Sequence, residues 1–541
     1  MQWLIYLYLK QINLTGGGMK KMTVLEQLDK ICPFYSCAAL MPAIILSVFF
    51  GLSKNKGLKV FILAVSVLSI IAALFFNIYI FILKGAFSDY LFSYNLLEAV
   101  QAGFIFFAAL NLIIFITVGN FYRDNFIQIL ILFLITILIS VFFIASSNFI
   151  AIFVSFVLLS AGIFQIVTVL NSNTGTRQIN SISEYIVKND ILRFFLVSAF
   201  SILLLFTGFS IIFGASDFKS FLQILESEKI NATLLKTGII ILFAAVFSYL
   251  FLFPLQGAYI RLLKKCEPTT TCILWFLYFP AGIFLFLKLR NVFFYIADNS
   301  SFYLSISLIV AAALTLIGAN LGAIKTTSMR RILSFIFMAN LGMLLLALGL
   351  YGAKTIDRQT FTWFFIANLF LLLLSYLPVF TVFNFIEKKE GSDSIDNIAG
   401  LARNNKTIGT ALIIILASFA GMFGTAGYLA RIHIIKPFLG FLTSGNSLYE
   451  GVPAEAGNAF AYAGFALALI SWAFLAVNIA RIIIILVKKP HNNKTYAFPK
   501  SYYIYSIIYT LAALWIGVAG LLEIYGSDIY ITGYSLFNIS F

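Results

Sequence analysis

The sequence predicts an all-α polytopic membrane protein with about 14 transmembrane helices. Three observations carry this. Of 541 residues, 61% are hydrophobic and 11% are charged, where a soluble domain carries about 25% charged residues. The mean hydropathy is +1.00. Apolar runs of the roughly 20 residues that cross a bilayer recur along the whole chain. They form spans 1 to 14, near 36–52, 58–83, 96–119, 126–146, 148–170, 191–214, 234–255, 271–289, 302–323, 331–351, 360–387, 408–440, 459–487 and 502–525. No stretch reads as a separate soluble domain.

Composition also excludes several chemistries. Cys32, Cys37, Cys266 and Cys272 form no CxxC pair and read as packing residues. With only two histidines, His433 and His491, no haem or metal ligand set can be assembled. The "GGG" at 16–18 precedes no helix of P-loop type, so no nucleotide chemistry is expected of this chain. The net charge of +15 reads here as loops that orient helices, not as a nucleic-acid surface.

Those loops set a predicted orientation. One alternate set carries 21 basic residues, from Lys54, Lys56 and Lys59 through Arg330 and Arg331 to Lys500. The other holds about 8: Lys84, Lys219, Lys229, Lys236, Lys288, Arg290, Lys354 and Arg358. The first side is expected to be cytoplasmic, which puts both termini on the outer side. Residues 1–35 read as an N-terminal extension. "MQWLIYLYL" is too short to span and lacks a basic start, and Met19 and Met22 follow "TGGG". Residues 1–18 are therefore expected to arise from a misplaced start codon; a native peptide covering Leu4–Lys10 would refute that.

Two spans carry interruptions. In "SFAGMFGTAGYLARIHIIKPF", Gly421, Gly424 and Gly427 break span 12, and Arg431 and His433 follow. In "LFLFPLQGAYIRLLKK", Pro254 and Gly257 break span 7. Each break is followed by an arginine seven residues on, Arg261 after Pro254 and Arg431 after Gly424. Interrupted helices at matching places in two halves point to a transport site, although Gly and Pro are common in membrane helices generally. A charge at mid-bilayer costs about 2.5–3.5 kcal/mol on insertion scales, so Arg431 is expected to face a polar interior. The alternative is snorkelling toward Lys436. His433 is two residues on and points to another face, as an interfacial histidine or a proton carrier.

The same stretches resemble a family. "KTTSMRRILSFIFMANLGMLLLALG", "EPTTTCILWFLYFPAGIFLFLKLR", "DILRFFLVSAFSILLLFTGFSIIFGAS" and "LASFAGMFGTAGYLARIHI" are similar, in order and spacing, to motifs of the antiporter-like membrane subunits of respiratory complex I. The subunit N branch of bacterial NADH-quinone oxidoreductase is the most similar. The likeness runs from about residue 100 to 440. It implies helices 1–3 over 36–120, then two inverted five-helix repeats over 121–290 and 300–487, with helices 7 and 12 discontinuous. A cytoplasmic loop, helix 14 and a short tail follow over 488–541.

The resemblance also implies a proton path built on a Glu and several Lys. Carried over position by position, these fall on Val157 (span 5), Tyr249 (span 7), Pro280 (span 8) and Arg431 (span 12). A family His falls on Asn340, a Lys on Arg193, and a Lys-Arg pair on Arg330 and Arg331. Val157 and Pro280 titrate nothing. A buried Lys can load and release a proton near neutrality, whereas Arg is effectively never deprotonated. No Lys or Glu is expected within the apolar core of spans 5, 7 or 8. The resemblance thus implies a non-redox membrane-arm subunit of a proton-translocating NADH-quinone oxidoreductase, structural or with impaired proton conduction. NADH, FMN, iron–sulfur clusters and quinone would belong to partner subunits, with the antiporter-like M and L and the small K and J as membrane neighbours in a bacterial inner membrane. Related alternatives are a subunit of a membrane-bound hydrogenase or of a multisubunit cation/proton antiporter. A stand-alone carrier such as a lipid-linked sugar flippase is the alternative from another class.

Overall fold

The structure, a computed structural model, describes residues 32–50, 55–82, 87–88, 92–94, 96–120, 125–172, 181–215, 232–295, 301–351, 358–432, 454–488 and 496–525. The helices are α1 (Cys32–Phe50), α2 (Lys56–Ile82), α3 (Leu96–Asn120), α4 (Phe126–Ala145), α5 (Phe149–Ser172), α6 (Ser181–Ala215), α7 (Ala232–Tyr249) and α8 (Gln256–Lys265). They continue as α9 (Pro268–Ile273), a π-helical turn (Leu274–Tyr278), α10 (Phe279–Tyr295), α11 (Ser301–Lys325), α12 (Met329–Tyr351) and α13 (Arg358–Glu390). After a 3-10 turn (Ile395–Ile398) come α14 (Leu401–Asn404), α15 (Lys406–Ala420), α16 (Ala454–Val487) and α17 (Lys500–Tyr525). A two-stranded hairpin, β1 (Phe87–Ser88) and β2 (Ser93–Tyr94), lies between α2 and α3.

Among the described residues, eleven helical stretches are long and apolar enough to cross a membrane, and three shorter apolar ones (Tyr35–Phe50, Thr233–Tyr249, Lys406–Ala420) accompany them. Each span read from the sequence has its helix. Two of the three are short because their helices stop at the interruptions. This is a multi-pass membrane protein.

Burial sorts the spans. Met329–Gly349 and Pro268–Leu289 are 94% and 89% buried, so α12 and the α9–α10 rod form the centre. Lys56–Ile80 and Lys500–Ala519 are each 28% buried, which places α2 and α17 at the periphery. Their outward side chains, Phe75 and Trp515 among them, are apolar, as a face turned to hydrocarbon requires. Small polar side chains inside the helices bond back to their own backbone: Ser140 Oγ donates to the Thr136 carbonyl at 2.8 Å and Ser198 Oγ to that of Phe194 at 2.9 Å. The π turn has a local cause. Pro280 has no N–H and its ring crowds the carbonyl four residues back, and the turn just before it widens so that the Phe279 N–H bonds to the Leu274 carbonyl instead.

Candidate functional site

The first interruption separates α7 from α8. Phe251 sits at a φ of 50° and the Phe253–Pro254 peptide is cis. Non-helical backbone at membrane depth must be satisfied by protein or water, and here protein does it. The N–H groups of Leu250, Phe251, Leu252 and Leu255 bond to the carbonyls of Val246, Ser248, Phe247 and Leu252 at 2.7–3.2 Å. That of Phe253 bonds to Thr315 Oγ1 on α11 at 3.3 Å. Pro254 has none to place. Gly257, expected at the break, instead lies inside α8 with nothing within 4 Å of where a Cβ would be. Cis-Pro254 and Phe251 make the break.

The second interruption lies between α15 and a helical stretch over 426–432. Gly421 ends α15 in the left-handed region with a φ of 78°, and Gly424 follows at 81°. Both are conformations that glycine alone adopts without strain. Gly427 has another reason. It lies in the restarted helix, and a Cβ there would sit 1.6 Å from the Ser418 carbonyl oxygen. The restarted helix therefore lies backbone to backbone on the end of α15, and the Gly427 N–H donates to Ser418 Oγ at 3.1 Å. Trp472 on α16 donates its indole N–H to the Ala420 carbonyl at 2.6 Å, which occupies one of the acceptors a helix end leaves open.

Between the interruptions runs a row of aromatic rings. Phe156 meets Tyr249 at 4.6 Å between centroids, and Tyr249 stacks on Tyr278 at 4.2 Å. Tyr278, Phe279, Phe337 and Tyr376 follow at 5.7, 5.2 and 5.6 Å, and Tyr376 reaches Phe419 at 4.4 Å. Trp275 bridges Phe337 and Tyr376. The tyrosines are pinned by hydroxyls: Tyr249 to Ser160 at 3.3 Å and Tyr278 to Ser198 at 2.8 Å. At the far end Arg431, 5% exposed, donates through Nη2 to Asn340 Oδ1. Asn340 Nδ2 donates to the Ile336 carbonyl at 3.0 Å and to the Tyr376 hydroxyl at 3.3 Å. Two residues singled out separately in the sequence, Arg431 and Asn340, thus meet.

Other sequence candidates lie apart. Val157 is half-buried, while its neighbour Phe156 and Ser160 are the α5 side chains that reach Tyr249. No carboxylate occupies either place. Pro280 is buried in α10. Arg193 is exposed, 4.0 Å from Asp190. Arg261 is exposed on α8, where its Nε donates to the Gly257 carbonyl of the same helix at 3.1 Å; it does not face a buried interior as Arg431 does. Arg330 is bound to Glu387 at 2.7 Å and donates to the Cys266 carbonyl. Burial pushes the Cys266 thiol up to about 11, against the pull of the Arg330 guanidinium, so it stays protonated and inert. Arg331 Nε is buried with no hydrogen-bond partner among the described residues. His433 lies outside the described residues.

Two features escaped the sequence reading. Asp190, buried, pairs with Lys265 at 2.7 Å and ties α6 to α8. Lys288, counted among the outer-side loop charges, belongs to the last turns of span 8 and reaches inward. Its Nζ donates to the Ser146 carbonyl at 2.7 Å, at the C-terminal cap of α4, where the helix dipole favours a cation. The expectation that Lys288 is an outer-loop charge is therefore corrected. Lys288→Met should cost about 1.5 kcal/mol, the lower range for a hydrogen bond to a charged group. Thermal unfolding in detergent measures it.

Residues 191–442 match the family model described as NADH:quinone oxidoreductase/Mrp antiporter, TM. The chain is 32% identical over 175 residues to NADH-quinone oxidoreductase subunit N of Geobacillus kaustophilus, and 25% identical over 325 residues to that of Bacillus anthracis. The matches cover 30% and 58% of this chain, and 33% and 60% of those relatives. The chain thus spans less than two thirds of either relative's length. Its fold is that of a chain in respiratory complex I from Thermus thermophilus, with a TM-score of 0.68 over 90% of this chain and 98% of that one, at 16% identity. It is also that of a chain in the archaeal membrane-bound sulfane sulfur reductase, with a TM-score of 0.71 over 92% and 95% at 16% identity. The shared fold therefore extends well beyond the matched region, and the two interruptions sit within it.

Proposed function

We propose that this antiporter-like chain is a subunit-N-type member of the membrane arm of an NADH-quinone oxidoreductase, and that it serves as scaffold with little or no proton conduction of its own. The carrying observation is the row of aromatic rings between the two interruptions, ending at Arg431. Relay of a proton needs groups that gain and lose it. The Tyr249 and Tyr278 hydroxyls hydrogen-bond to each other and to Ser160 and Ser198, but phenylalanine rings lie between them and Tyr376, and an arginine holds its charge. A fixed positive charge in a low-dielectric interior repels a second one strongly. The curated relatives supply the assignment to subunit N. In this reading NADH, FMN, iron–sulfur clusters and quinone belong to partner chains, the neighbours are the M, L, K and J subunits, and the membrane is a bacterial inner membrane with both termini outside.

Proton uptake per NADH oxidised, in vesicles with the complex assembled, should be unchanged by Tyr249→Phe and by Lys288→Met. A lower stoichiometry in either would reject the scaffold role and show a route through that residue. A second reading rests on the fold likeness to the sulfane sulfur reductase, whose TM-score is 0.71: a different membrane complex built from the same kind of chain. A mild-detergent pull-down read by mass spectrometry separates them. NADH-oxidising and quinone-reducing chains support the first, and hydrogenase, sulfur-reducing or cation-antiporter chains support the second. Recovery of the chain alone would favour a stand-alone carrier.

A further inference from the structure

Arg431 presents a charge problem that the proposed scaffold role does not solve. Its side chain is 5% exposed. One nitrogen donates to Asn340, and its Nε is buried with no hydrogen-bond partner among the described residues. None of the ion pairs among the described residues includes it. A guanidinium offers five N–H donors, and a buried charge with no counter-charge costs several kcal/mol. The guanidinium borders a cavity of about 30 Å³ lined by Asn340, Asn368, Ser375, Ser418 and Gly427. That volume holds a water or a small ion. The lining brings amides and hydroxyls but no carboxylate. Because Ser418 Oγ accepts from the Gly427 N–H, its own proton is available to a cavity occupant. Water would fill such a space and leave the charge uncompensated.

We propose that this cavity is a binding site for a small monovalent inorganic anion of the halide class, held by the Arg431 guanidinium with the Ser375 and Ser418 hydroxyls and serving as its counter-charge. The anion would turn a buried cation with no ion-pair partner among the described residues into a neutral pair at the second interruption, beside the backbone crossing of Gly427 and Ser418. The site stands whether or not the subunit conducts protons.

The test uses the purified full-length chain, or the complex that contains it, in sodium bromide and in sodium gluconate at matched ionic strength. Bromide should give an anomalous scattering peak beside the Arg431 guanidinium. The unfolding midpoint should rise with the logarithm of bromide concentration above the dissociation constant, relative to gluconate. That rise should vanish in Arg431→Gln and weaken in Ser375→Val, which keeps the charge and removes one donor. No anomalous peak, or a bromide-dependent rise that is undiminished in both variants, would overturn the site. Should Arg431→Gln fail to fold, the anomalous peak and Ser375→Val decide it.

Discussion

Gly427→Ala should remove the folded protein from the membrane. The added methyl carbon would lie 1.6 Å from the Ser418 carbonyl oxygen and 2.6 Å from its carbon. Both are backbone atoms, so no side-chain rotation relieves the overlap. Ordinary overpacking costs about 1–3 kcal/mol. Here the restarted helix must lift off α15, breaking the Gly427–Ser418 bond and displacing Arg431, and a loss above about 4 kcal/mol is expected. Gly257→Ala is the matched control. It lies inside α8 with nothing within 4 Å, and alanine there should be neutral or stabilising by up to about 1 kcal/mol. Membrane abundance and unfolding midpoint of the two variants give the comparison. Wild-type abundance of Gly427→Ala would mean that the two backbones do not cross as described.

Arg330→Met should give the second large loss. The guanidinium is 11% exposed and the Glu387 carboxylate 24% exposed, at 2.7 Å, and the same arginine donates to the Cys266 carbonyl. It therefore joins α12, α13 and the link between α8 and α9. Removing one member of a buried pair leaves the other charge unpaired, at a cost of about 3 kcal/mol. Removing both, in Arg330→Met with Glu387→Met, should recover much of that, because the desolvation cost goes with the charges. A double-mutant cycle on unfolding free energies measures the coupling. Additive single losses would show that the pair contributes nothing of its own.

Arg431 shows how a site was half legible. An arginine after an interruption in an apolar span points to a polar interior on grounds of cost alone. Asn340 stood out only by resemblance, and nothing local tells that α12 brings it to Arg431. The matching arginine rule failed at Arg261 for the same reason: sequence spacing sets a face of a helix, and packing decides whether that face turns inward. Lys288 was misplaced because a lysine near a span end reads as a loop charge, and only the position of the α4 cap at Ser146 shows what it bonds.

By itself the sequence determined that this is a multi-pass helical membrane protein, where its spans run, and that two of them are interrupted. Bilayer thickness and the cost of unpaired backbone groups leave few alternatives. Tertiary structure alone decided which residues fill the space between the interruptions. Tyr249, Tyr278, Phe337 and Tyr376 come from four different spans, and their packing depends on helix rotation and contact, which a hydropathy pattern does not encode.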